Sequence, residues 1–115
     1  MILTNQTPVR LACLAIALVT AVTLQGGFAA PRISEFMAVN ESTLEDEDGD
    51  FSDWIEIHNP DVAELSLAGY SLTDSSSNLT KWAFPAMTIA PGSYLIVFAS
   101  NKDRTDPGGE LHTNF

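Results

Sequence analysis

The chain has 115 residues, 45% of them hydrophobic, and sets 15 Asp and Glu against 5 Lys and Arg for a net charge of −10. That length holds one domain at most. The acidity argues against a nucleic-acid partner, because affinity for a phosphate backbone rests on Lys and Arg, and against anionic membranes; divalent cations, basic partners and plain solubility remain compatible.

The first segment reads as an export signal. Met1–Arg10 is polar with a single positive charge, Leu11–Leu24 is a charge-free and mostly apolar run, and Gly27-Phe28-Ala29 supplies small residues at the exit. This succession predicts a secretory signal peptide, as a helix over residues 1–29 removed after Ala29. The run is short of the roughly twenty apolar residues a spanning helix needs, so no stable membrane insertion is expected after cleavage. The one cysteine, Cys13, lies inside this segment. Arg10 stands three residues before it, which argues against lipidation. The mature segment, 30–115, therefore has to hold together without disulfides.

After the signal the periodicity is that of strands throughout. Ile33–Val39 alternates imperfectly and predicts a strand. Glu45–Asp50 (EDEDGD) is an acidic loop. Trp54-Ile55-Glu56-Ile57-His58 is the clearest strand, with Ile55 and Ile57 on one face and Trp54, Glu56 and His58 on the other. Asn59-Pro60-Asp61 ends it, since proline cannot continue a ladder. Leu65–Leu67 and Tyr70–Leu72 are short strands around Ala68-Gly69. Lys81–Phe84 and Met87–Ile89 are short strands separated by Pro85, and Pro91-Gly92 is a turn. Tyr94–Ala99 (YLIVFA) is apolar throughout, as in a central, doubly covered strand.

Short strands with turn signals at this spacing predict an all-β antiparallel sandwich. Leu111–Phe115 opens one strand more. An immunoglobulin-like sandwich takes about 100 residues, more than follow the signal. The expectation is a domain truncated before its last strands, so that Ala30–Phe115 by itself folds poorly.

Several short motifs in this order resemble the lamin tail domain, in its bacterial secreted branch. They are Ile-Ser-Glu-Phe-Met-Ala at 33–38, Asp-Glu-Asp-Gly-Asp at 46–50, Asp-Trp-Ile-Glu-Ile-His-Asn-Pro at 53–60 and Leu-Ala-Gly-Tyr-Ser-Leu-Thr-Asp at 67–74. Lys-Trp-Ala-Phe-Pro at 81–85, Ile-Ala-Pro-Gly-Ser-Tyr-Leu-Ile-Val-Phe-Ala-Ser at 89–100 and Leu-His-Thr-Asn-Phe at 111–115 continue the series. The resemblance implies an immunoglobulin-like β-sandwich used as an accessory module of larger exported proteins. It also implies further strands after Phe115.

The acidic loop is the one motif with ligand chemistry. Asp46, Asp48, Asp50 and Asp53 offer the oxygen ligands a calcium ion takes, although the spacing departs from an EF-hand. The competing reading is a solvated turn. His58 and His112 have none of the spacings of a zinc site, and no Gly-x-Ser-x-Gly elbow accompanies them; no catalytic residue and no other cofactor are expected. Trp54, Tyr70, Trp82, Phe84, Tyr94 and Phe98 read first as core and second as a sugar-stacking platform. Asn40-Glu41-Ser42 and Asn78-Leu79-Thr80 fit a glycosylation pattern that also arises by chance.

The expected function is a non-catalytic extracellular binding or structural module at the N-terminus of a larger exported protein, secreted or held at the cell surface. Its partner would be a protein or a cell-surface polymer, and not nucleic acid. The alternatives are an accessory domain of a secreted enzyme whose catalytic part lies beyond Phe115, and a calcium-dependent carbohydrate-binding module.

Overall fold

Alternation through Asp53–His58 makes that segment the axis of the molecule. In the structure, a computed structural model that describes residues 30–115, it is strand β2. The expected signal segment lies outside the described residues. Among the described residues there is no helix, and so none long and apolar enough to cross a membrane.

Strand β1 (Arg32–Met37) pairs antiparallel with β2, and β2 pairs antiparallel with β7 (Tyr94–Ala99). On the far side of β7 lies β8 (Leu111–His112), which runs parallel to it. The order of the sheet is β1-β2-β7-β8. Its inner face carries Ile55 and Ile57 opposite Val97 and Leu95, its outer face Trp54, Glu56 and His58 opposite Phe98, Ile96 and Tyr94. Strand β1 stops before the expected Val39, whose φ of 65° puts a β-branched residue in the left-handed region and turns the chain away.

The second layer is a ribbon. Strand β3 (Leu65–Ser66) pairs with β6 (Thr88–Ile89), and β4 (Ser71–Leu72) with β5 (Trp82–Ala83). Between the two pairs, Leu67 N donates to Met87 O at 3.0 Å and Phe84 N to Tyr70 O at 3.0 Å. All of these keep one common register, so the two ladders are halves of a single antiparallel ribbon. The gap between them falls at Gly69, whose φ of 84° a residue with a Cβ adopts only with strain.

The layers close over one core. Ile57, Val97 and Leu111 from the sheet meet Leu65, Leu67, Leu72, Trp82, Phe84 and Ile89 from the ribbon. Trp82 meets Phe84 edge-on, with ring centroids 5.1 Å apart. Each such side chain withdrawn from water contributes about 1.5–3 kcal/mol. The architecture is an all-β, immunoglobulin-like sandwich with one parallel pair at its β7–β8 end.

That end is finished by the chain itself. Asn101 N donates to Phe115 O, Asp103 N to Thr113 O and Arg104 N to His112 O, while His112 N donates back to Arg104 O at 3.0 Å. Residues 101–104 thus lie antiparallel along β8 and pair its outer edge. The opposite edge, β1, has no such cover among the described residues.

Candidate functional site

The acidic loop folds around one of its own carboxylates. Asp46 N donates to Asp50 O at 2.9 Å and Gly49 N to Asp46 O at 2.8 Å, closing a tight turn that Gly49 permits with a φ of 81°. Asp46 Oδ1 accepts from the backbone N–H groups of Asp48 and Asp50, both at 3.1 Å. Its Oδ2 accepts from Ser52 Oγ at 2.8 Å. The side chain of Asp46 is fully enclosed.

A cation from the other end of the sequence enters this turn. Lys102 Nζ lies 2.6 Å from Asp46 Oδ2, 2.7 Å from Asp48 Oδ2 and 2.9 Å from Asp50 Oδ2. Arg104 adds 2.6 Å to Glu47 Oε1 and 2.7 Å to Asp48 Oδ2, and Glu47 N donates to Glu110 Oε2 at 2.6 Å. Burial alone would push the Asp46 carboxyl up. Lys102, Ser52 and the two amides outweigh it and hold that carboxyl far below the usual range. Burial likewise disfavours the charged amine of Lys102, but Asp46, Asp48 and Asp50 raise its affinity for the proton well above normal. The result is a clamp of opposite charges joining the acidic loop to the 101–110 segment.

The four carboxylates expected as calcium ligands separate here. Oxygens of Asp46, Asp48 and Asp50 lie within 4.8 Å of one another, gathered around the Lys102 ammonium. Asp53, at the start of β2, turns elsewhere: its Oδ1 accepts from Asn40 N at 2.9 Å. Asn40 in turn braces the loop, its Nδ2 donating to Leu44 O at 2.6 Å and Ser52 O at 2.9 Å. That amide is buried and engaged, so the Asn40-Glu41-Ser42 pattern offers no free nitrogen for a glycan.

Sequence reasoning missed a second polar group under the clamp. His112 is wholly buried, its ring stacked on Phe98 at 5.2 Å. Its Nδ1 lies 2.8 Å from Ser100 Oγ, and its Nε2 has no hydrogen-bond partner, with Glu110 Oε2 at 3.8 Å. Burial first, and the nearby Arg104 next, lower its pKa, against the opposing pull of Asp46 and Glu110. Burial and Arg104 both favour the neutral imidazole. Ser100, His112 and Glu110 are the residue types of an acyl-transfer triad, but the Glu110 carboxylate stands 3.8 Å from Nε2 and makes no hydrogen bond to it, so the relay is not assembled. Only the serine–histidine spacing, twelve residues across a loop, was available in the sequence, and it carries no recognisable signal. His58, by contrast, lies on the open outer face, stacked on Tyr94 with ring centroids 4.3 Å apart.

The aromatic residues divide cleanly. Trp54, Trp82, Phe84 and Phe98 are buried, whereas Tyr70 and Tyr94 are 43% and 58% exposed. Tyr94 departs from the expectation of a fully covered β7, because it lies on the outer face, where, among the described residues, only the His58 ring stacks against it.

An immunoglobulin-like sandwich whose buried charges are engaged with one another defines a β-sandwich module. The model of the family described as Lamin Tail Domain matches residues 28–114, the greater part of the chain. The chain belongs to the lamin tail domain family, whose immunoglobulin-like members are typically non-catalytic binding or structural modules. No curated protein and no solved structure matches it significantly.

Proposed function

We propose that the chain is a non-catalytic binding or structural module of an exported protein, acting outside the cell or at its surface on a protein or polymer partner. The family match over a sandwich whose one buried carboxylate, Asp46, is held by Lys102 and whose buried His112 faces Ser100 is the observation that carries this reading. Export follows from the polar, apolar and small-residue succession of residues 1–29. N-terminal sequencing of exported material should begin at Ala30, and an intact Met1 in membrane extracts would contradict it.

The test of the binding role uses the full chain against ester substrates and against envelope polymers and exported proteins. Saturable retention without turnover supports it. Ester hydrolysis that disappears in Ser100→Ala would replace it with the enzyme reading.

A second reading keeps calcium at Asp46, Asp48 and Asp50, favoured by the convergence of their oxygens. An entering ion has to displace the Lys102 ammonium, since both take the same carboxylates. A calcium-dependent rise in Tm accompanied by glycan retention supports this reading; an unchanged Tm removes it.

A further inference from the structure

Strand β1 is an edge of the sheet, and among the described residues no backbone hydrogen bond is made along its outer side. Its inner row is apolar yet uncovered: Ile33 and Phe36, opposite Ile57 and Ile55, are 60% and 69% exposed. The ribbon stops short of them. Between Ile33 and Ile57 on one side and Tyr70, Leu72 and Phe84 on the other lies a groove of about 190 Å³. That is room for one branched apolar side chain. On the outer row, Glu35 stands directly opposite Glu56, and like charges in that relation repel. Ser34 Oγ donates to Glu56 Oε1 at 2.6 Å, but among the described residues neither carboxylate has an ion pair. Lys81, Lys102 and Arg104 are engaged with other acids, and Arg32, which opens β1 opposite His58 and also lines the groove, pairs with no acid among the described residues.

We propose that this edge receives an extended segment of a basic partner. The segment pairs main chain to main chain with β1, places an apolar side chain in the groove, and sets a Lys or Arg against Glu35 and Glu56. Strand addition of this kind takes affinity from backbone hydrogen bonds and specificity from alternate side chains. The alternation demanded here is apolar inward, basic outward. A second copy of the chain fits poorly, because its own β1 brings the same Glu35 and Glu56 row, preceded by Pro31 and interrupted by the register shift between Ile33 and Glu35. The proposal rests on the binding-module reading and names its surface.

The test titrates the full chain into a fluorescein-labelled Lys-Val repeat peptide, with a Glu-Val repeat and two alternately N-methylated Lys-Val peptides as comparisons. The Lys-Val peptide should bind saturably and the Glu-Val peptide should not. N-methylation along one edge of the peptide should abolish binding, and along the other edge should leave it. Glu35→Lys should weaken binding about tenfold or more, since it reverses the charge the peptide meets, with the near-UV spectrum and melt unchanged. Equal binding of all three Lys-Val peptides would reduce the effect to bulk charge attraction and overturn the proposal. So would wild-type affinity in Glu35→Lys, no binding of the Lys-Val peptide, or a self-associated chain in sedimentation that closes the edge with a second copy. None of these touches the module reading, which falls only if the full chain shows ester turnover lost in Ser100→Ala.

Discussion

Lys102 Nζ sits 2.6 Å from Asp46 Oδ2, a carboxylate oxygen on a fully enclosed side chain, across 56 positions of sequence. One amine there answers three carboxylates. Removing it leaves a buried charge without its partner, which is strongly destabilising even where the intact pair adds little. Lys102→Met should therefore lower Tm markedly. Lys81→Met, which breaks the exposed Lys81–Asp74 pair, should leave Tm near the wild-type value. Thermal melts of the two variants side by side decide this, and equal losses would mean that the clamp contributes no more than a surface pair.

Acid should loosen the same clamp. The folded state holds Asp46 below its ordinary value of 3.8, and Asp48 below it as well. Above that value both states are ionised and the stabilisation is fully present. As pH falls below it, the unfolded chain takes up protons that the folded chain refuses, so stability is lost. Urea melts from pH 5 downward should show this limb, and Asp46→Asn should flatten it. On the alkaline side Lys102 is raised above its ordinary 10.5, so its share is complete below that pH and lost only as pH climbs through the folded value.

A second slope lies nearer neutrality. His112 is buried with its pKa lowered from 6.5, facing Arg104, Lys102, Asp46 and Glu110. Below pH 6.5 the unfolded chain protonates this histidine and the folded chain resists. Stability should thus begin to fall at a pH above the carboxylate limb. His112→Gln should remove the difference between denaturant midpoints at pH 7.5 and 5.5. A difference that persists unchanged would assign it to other groups.

Core tryptophans give the largest expected losses. Trp82 is 2% exposed between the layers and Trp54 is 9% exposed on the outer face. Truncating either to alanine should cost about 3–5 kcal/mol in denaturant unfolding, as for large-to-small changes in close-packed interiors. Near-zero loss at Trp54 would mean that the covering loops collapse into the space.

Much of the fold was legible because a period of two is local information. The alternation of Trp54–His58 named both faces of β2 correctly, and Asn59-Pro60 placed its end. The charge cluster at Glu45–Asp50 was equally visible. Its counter-ion was not, because nothing local ties Asp46 to Lys102 more than 50 positions on. Tyr94 belongs to an apolar run, and hydropathy alone counts it as covered; exposure depends on where the loops reach. The parallel direction of β8 is likewise set by the path of 100–110, not by the composition of Leu111-His112.

The distance in sequence between the two halves of the clamp sets an order of events. A chain emerging from its N-terminus presents the five carboxylates of the acidic loop long before Lys102 exists to meet them, and β2 long before β7. Until that amine arrives, the five carboxylates have only one another and the solvent, and β2 lacks its central neighbour. Closure of contacts this remote is slow compared with local turns. The clamp and the β2–β7 ladder therefore form only once the chain has been made through β7 and past Lys102.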